Sequence, residues 1–526
     1  MGAAVLIGAA AAPIPFYDRG EPREALVVRA MLAGHGAILP RLEDGRIPSK
    51  PPLFHWLAAG ALAAGVRPEE LAVRLPSVAF GAAGIALTAA VAGRSGVAAG
   101  MLAGAVLGSS FEWFRAATQS RVDMTLTFFI VAAVFAWYAR VLGDAGRGAA
   151  RAGWLCAAIA TLTKGPVGMV LPMLVIVAGA LAAGQPRRLT RLVDVGGIAG
   201  AVALAVAWYV LAWATGGDAF LVRQLVQENA QRFVGWGKVA HRHSTLYYVP
   251  ALLGALSPWS LALPVVLRRP DDRERPLRRF LLVWAVAVLA FYSLAAGKRS
   301  TYLLPLFPPL AILIGQGLAT ALADAPGPVV RRALAAGAAL IGAGAVLVWA
   351  GWTAPVLAAV GPILSMGDLE RMPAVPAVLH DQRLAAGLTL AVAAGCVATL
   401  AARVVVAHRG RALAVVGLAL VWSLGLTAFG TYPLAARVTT RPEALAVRND
   451  LGPGDRLCRT GFVDRAFQFY VAHPVPRCRD LPADGTGRTL VISPVLGARN
   501  GGPHYQLTWR GADAASVAFL AAGGAR

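Results

Sequence analysis

The feature that most constrains this 526-residue chain is the recurrence of apolar runs about as long as a bilayer is thick. A helix needs roughly 20 apolar residues to cross the hydrocarbon core. Runs of that order lie at about 2–16, 71–92, 96–111, 122–140, 152–163, 165–183, 193–214, 246–267, 280–296, 301–321, 332–351, 384–402 and 412–432. The first, third and fifth are short. About thirteen spans, an odd number, put the two ends of the chain on opposite sides of the membrane. Hydrophobic residues make up 57% of the chain and charged residues only 14%, which excludes a soluble enzyme. The fold class expected is therefore an all-α polytopic membrane protein. A net charge of +22 would suit nucleic acid, but the arginines cluster in short loops between apolar runs, so no nucleic-acid partner is expected.

Those loops set the orientation. Arg94; Arg140, Arg147 and Arg151; Arg187, Arg188 and Arg191; the arginines of 268–279; Arg331 and Arg332; and Arg403, Arg409 and Arg411 fall in alternate loops. Short basic loops stay cytoplasmic. The longer, mixed loops 17–70, 112–121, 215–245, 297–300 and 352–383 then face outward with the tail after 433. In a bacterium this is an inner-membrane protein with a cytoplasmic N-terminus and a periplasmic tail. Residues 1–15 lack the basic flank of a cleavable signal and read as a thin first helix. Two domains are expected: a transmembrane domain over 1–432, including outer loop 17–70, and a small extracytoplasmic α/β domain over 441–526. Loop 17–70 is too long for a plain connector and should hold juxtamembrane helices near 24–32 and 51–64. In the tail, strands are expected at 456–458 and 489–493 and a helix at 464–472.

Chemistry-bearing residues concentrate at outer span ends. Only four of the 49 lysines and arginines are lysines: Lys50, Lys164, Lys238 and Lys298. All four thread to the outer side. An ammonium is a compact charge suited to phosphate, so they mark an anionic ligand there; the bland alternative is interfacial snorkelling. The first outer loop packs Asp18, Arg19, Glu21, Arg23 and Glu24 into seven positions. One carboxylate there can serve as a general base or stabilise developing positive charge; the alternative is a self-paired, solvated helix start. Asp123 opens the fourth run within SRVDM, and an acid at the mouth of an apolar helix marks a site or a structural ion pair. TKGP at 163–166 places Lys164, and GKRSTYLLP at 297–305 places Lys298, Arg299 and Tyr302, at the same depth. Arg232 lies in the fourth outer loop. His241 and His243 there form a weak His-x-His candidate, and no metal is expected. Cys458 and Cys478 end two likely strand segments of the tail in an oxidising compartment, so a disulfide is expected between them.

Together these segments resemble the glycosyltransferase family 39 / protein-mannosyltransferase-like group of GT-C membrane transferases, which has bacterial aminoarabinose-transferase-like members. The resemblance is carried by DRGEPREALVVRAML at 18–32, SKPPLFHWL at 49–57, RLPS at 74–77, SRVDMTL at 120–126, TKGPVGMVLP at 163–172, HSTLYYVP at 243–250, SPWSLALP at 257–264 and GKRSTYLLPLFPPLA at 297–311. It implies a sugar transferred from a polyprenyl-phosphate donor, such as undecaprenyl phosphate, on the periplasmic face. The acceptor would be lipid A, another envelope glycan or a protein. The family's first outer loop carries an acidic pair followed by arginine. Glu21 and Arg23 match, but Gly20 stands where the family has Asp, leaving Asp18 or Glu21 alone for the role. Asp123 looks like the second acid and Lys50 like the lysine near the donor phosphate. Arg23, Lys164, Lys298, Arg299, Tyr302 and Arg232 complete the substrate-binding candidates. The resemblance implies no tightly bound cofactor; a monomer is expected. A lipid or sugar transporter, or an inactive homologue, is the alternative.

Overall fold

Backbone in hydrocarbon must hydrogen-bond within its own segment, so apolar runs fold as helices. The computed structural model describes residues 1–17, 20–42, 47–48, 50–231, 245–267, 275–323, 328–352, 374–401, 408–481, 488–494, 505–510 and 517–520. Asp18, Arg232, Lys238, His241 and His243 lie outside the described residues.

The helices in chain order are α1 (Gly2–Ala11), α2 (Glu21–Leu32), α3 (Leu53–Ala63), α4 (Glu69–Ala92), α5 (Val97–Ser109), α6 (Phe111–Ala117), α7 (Val122–Val141), α8 (Arg147–Lys164), α9 (Val167–Ala182), α10 (Val195–Leu221), α11 (Tyr248–Ala255), α12 (Arg275–Leu294), α13 (Phe307–Ala323), α14 (Pro328–Trp349), α15 (Ala374–Asp381), α16 (Arg383–Ala401), α17 (His408–Gly425), α18 (Tyr432–Val438), α19 (Arg441–Asp450) and α20 (Arg465–Val471). Among the described residues, seven helices are long and apolar enough to cross a membrane, or nine if each of two bent pairs counts as one span. Shorter apolar helices such as α1 and α9 fall below that length. The run expected at 152–163 is the C-terminal part of α8, whose first turns carry Arg147 and Arg151. The expected thirteen thus exceeds what length and composition alone support.

The two bent pairs interlock. α5 and α6 meet at 69°, and α11 meets the 3-10 segment Trp259–Leu267 at 107°. At the breaks, Phe111 N–H donates to Ser257 O (3.0 Å) and Trp259 Nε1–H donates to Ser109 Oγ (2.8 Å). The first of these gives the Phe111 amide, at the start of α6, a buried partner on the other break. α13, continuing the 3-10 segment Ser300–Leu306, forms the buried centre of the bundle. It reaches α5 at Gly315, where an added Cβ would lie 2.6 Å from Ala103 N. Small residues let helix backbones approach this closely in a membrane.

A second core lies at one end of the bundle. Phe16, Ala25, Val28, Ala58 and Val73 pack with Val447, Leu457, Phe467, Phe469 and Ile492, so the tail sits on α2, α3 and the start of α4. The tail sheet has the order β1 (Arg456–Arg459), β2 (Thr489–Pro494), β3 (Tyr505–Arg510) and β4 (Val517–Leu520). β1 and β2 are parallel, with Cys458 opposite Val491; the other pairs are antiparallel. β1, α20 and β2 match the expected elements; β3 and β4 were not expected. Cys458 and Cys478 form a disulfide across a sequence separation of 20.

Candidate active site

Three sequence motifs converge at the start of α7, the end of α8 and the 3-10 segment Ser300–Leu306 that leads into α13. Arg121 is extended (φ −139°, ψ 144°), so α7 begins at Val122 and places Asp123 in its first turn, where the helix dipole favours a carboxylate. Ser77 Oγ holds the preceding turn by donating to Arg121 O (3.2 Å). Lys164 ends α8, and Gly165 takes the left-handed φ of +92° that the tight turn into Pro166 requires. Lys164 Nζ and Asp123 Oδ1 form a close ion pair. The same ammonium lies 4.6 Å from the Tyr302 ring centroid, a cation–π contact, and Tyr302 packs on Tyr292 at 5.2 Å. Arg121 and Arg299 also bear electrostatically on Asp123. The backbone N–H of Arg299 points at Tyr248 Oη (3.4 Å).

The neighbouring charges have other partners. Lys298 is only 3% exposed and its ammonium donates to Ala295 O; burial pulls its pKa below the usual lysine range. Glu112, unassigned by the sequence reading, is buried and paired with Arg115, with Ser300 Oγ 3.5 Å away.

Glu21 and Glu24 occupy successive turns of one helix with different partners. Glu21 is fully buried. Its Oε1 accepts Arg74 Nε (2.8 Å) and Ser120 N–H (2.9 Å), and its Oε2 accepts Arg74 Nη2 (3.0 Å). Such a fork-on-fork pair with no exposure is the geometry of a positioning group. Glu24 accepts from Arg23 on Oε1 and faces His55 Nε2 on Oε2 at 2.7 Å. Burial alone would raise the Glu24 carboxyl, but Arg23 and His55 outweigh it and hold it well below the usual carboxylate range. Arg23 itself is 39% exposed, with its guanidinium oriented from beneath by Glu24. Lys50 is partly exposed just ahead of α3 and has a partner of its own.

The structure therefore brings Asp123, Lys164, Tyr302 and Arg299 together, and links Glu21 to the start of α7 through Ser120. Sequence reasoning missed Arg74, His55 and Glu112 as partners. The available signal for Arg74 was an arginine inside an apolar run, where a charge demands a partner. Among the described residues no group of three or more His, Cys, Asp or Glu could hold a metal ion. An apolar groove of about 360 Å³ between Leu6, Ala9, Pro13 and Leu424, Tyr432 shares no lining residue with this cluster.

Residues 49–213 match the family model described as dolichyl-phosphate-mannose-protein mannosyltransferase. The chain is 33% identical over 329 residues to the undecaprenyl phosphate-alpha-4-amino-4-deoxy-L-arabinose arabinosyl transferase of Pseudomonas paraeruginosa, covering 59% of this chain and 58% of that protein. The Pectobacterium atrosepticum protein of the same name is 30% identical over 332 residues, covering 60% and 57%. The chain thus matches under three fifths of the length of these relatives. In structure it is similar to ArnT from Cupriavidus metallidurans bound to undecaprenyl phosphate, with a TM-score of 0.76 and 23% identity over 94% of this chain and 92% of that one. The apo state of that protein gives a TM-score of 0.75 and 22% identity.

Proposed function

We propose that this chain, a polytopic membrane protein with the fold of the GT-C glycosyltransferases, transfers a sugar from a polyprenyl-phosphate donor to an envelope acceptor. The observation that carries the reading is the Asp123–Lys164 ion pair seated on Tyr302, with Arg299 beside it, at three helix ends. The acceptor oxygen attacks the anomeric carbon. The bond from that carbon to the phosphate oxygen breaks, and polyprenyl phosphate departs with the electron pair. Arg23, Arg299 and Lys50 are the cations we assign to the leaving phosphate, where fixed charge is worth more than in water. A hydroxyl acceptor would pass its proton to Asp123, whose carboxylate Lys164 holds in place. A lipid phosphate acceptor has no such proton to lose, which accommodates Gly20 at the family's acidic position. Glu21 we assign to positioning, and Lys298 to the turn it binds.

On this reading 1–432 is the catalytic domain, 441–526 a small outer domain, and the site faces the periplasm with the N-terminus in the cytoplasm. The acceptor is lipid A, another envelope glycan or a protein, and lipid A is the one we test first. The test presents purified protein in nanodiscs with labelled undecaprenyl-phosphate sugars, 4-amino-4-deoxy-L-arabinose among them, and lipid A. Label should appear on an acceptor with release of undecaprenyl phosphate. In sealed proteoliposomes with the same lipids, label that crosses the membrane without any new glycosidic product would identify a transporter and overturn the reading.

A further inference from the structure

Phe16 precedes the charged segment 20–24, and both its backbone polar groups are taken by side chains from the far end of the chain. Its N–H donates to Tyr470 Oη (2.7 Å), and its carbonyl accepts from Thr439 Oγ1 (2.8 Å), across separations of 454 and 423 residues. Tyr470 Oη–H in turn donates to Glu70 Oε1 (3.0 Å). Next door, Arg29 pairs with Glu69 and lies 3.6 Å over the Phe469 ring. On its other side, Phe16 carries the Arg74 guanidinium 5.1 Å from its ring. Arg74 binds the carbonyls of Ala11 and Ile14 and both oxygens of Glu21. Glu21 accepts the N–H of Ser120, three residues ahead of Asp123.

An unbroken series of contacts thus runs Tyr470–Phe16–Arg74–Glu21–Ser120 to the first turn of α7. Each of the five is at most 6% exposed. Water cannot replace a lost partner at such depth, so these directional bonds fix position where greasy packing would only fill space.

We propose that the segment following the last span is a clamp on Phe16 that positions Asp123, and that Tyr470 and Thr439 are positioning residues for sugar transfer. The proposal rests on the reading of Asp123 as the acid of the transfer site. It gives the tail a part in turnover, distinct from any contact with substrate.

The test uses full-length protein in nanodiscs, with amide hydrogen exchange and transfer from undecaprenyl-phosphate 4-amino-4-deoxy-L-arabinose to lipid A. Tyr470→Phe and, separately, Thr439→Val should speed exchange at Phe16 and, remotely, across 120–123. They should lower kcat about tenfold while leaving the donor KM within about twofold, the scale of coupling carried by residues between sites. In an Arg74→Lys background Tyr470→Phe should add less than about twofold, because both act on one path. Arg488→Gln, which breaks the exposed Arg488–Asp455 pair elsewhere in the tail, should change neither readout. Exchange changes confined to the tail, unchanged kcat per folded molecule in both variants, or full multiplication of the Tyr470 and Arg74 effects would overturn the clamp. If the native protein transfers no sugar, the functional reading fails by itself and the exchange arm still decides whether the tail holds 120–123.

Discussion

Glu21 and Asp123 both open helices, yet their surroundings separate their roles. Asp123 shares its charge with one lysine of 15% side-chain exposure, whereas Glu21 faces a guanidinium with none. Removing one partner of a fully buried ion pair strands the other, at a cost of about 3–5 kcal/mol. Glu21→Gln should therefore lower the thermal midpoint and the yield of folded protein, and Glu21→Gln with Arg74→Met should recover part of the loss. Asp123→Asn should leave the midpoint nearly unchanged and lower transfer to a hydroxyl acceptor by about 10²–10⁴-fold, the usual weight of a general base. Midpoints by scanning fluorimetry and turnover per folded molecule separate the two outcomes; equal effects on both quantities in both variants would contradict the division of roles. The sequence marked both carboxylates and grouped them. It offered Arg74 as a charge inside an apolar run without saying which acid it meets, because a partner 53 residues away is set by how α2 lies on α4.

At the scale of elements, Lys164 is held in place by how closely α8 and α9 approach. A Cβ on Gly168 would lie 2.3 Å from Ala160 C and 2.4 Å from Thr161 N, both rigid helix backbone. Gly168→Ala should push the helices apart, shift Lys164 and cut turnover, whereas Gly200→Ala, with nothing within 4 Å, should not. Equal activity in the two variants would show that this helix spacing does not govern the site. In the tail, the Cys458–Cys478 cross-link closes a loop that is worth about 3 kcal/mol in the chain-entropy view. Replacing both cysteines by serine should lower the tail's unfolding midpoint, and non-reducing peptide mapping should recover the native pair; finding both thiols free removes that expectation. The apolar runs were legible because hydrocarbon permits few backbone solutions. The bends were not, because the bonds that join the two breaks, Phe111 N–H to Ser257 O and Trp259 Nε1–H to Ser109 Oγ, link positions about 150 residues apart. Asp123, Lys164 and Tyr302 were each visible as motif residues, but their meeting depends on three helix ends arriving together.

For the whole molecule, the proposed orientation makes a prediction from where the arginines fall. In a background lacking Cys156 and Cys396, a single cysteine at Gly184 should be shielded from an impermeant thiol reagent in intact cells, and one at Gly461 should label. The reverse pattern would turn the protein over and put the site on the cytoplasmic face. The interlocked breaks also bear on how the protein is made. The ribosome delivers Phe111 long before Ser257, so the first break is made before the carbonyl that its amide binds in the finished fold. Until the second arrives, that half of the bundle is an unfinished product exposed to quality control. Nascent chains stopped ahead of Ser257 should be cleared by membrane proteases within minutes, while chains stopped beyond Leu267 should persist. Pulse-chase decay of the two sets measures the difference, and equal lifetimes would mean that insertion tolerates the open break.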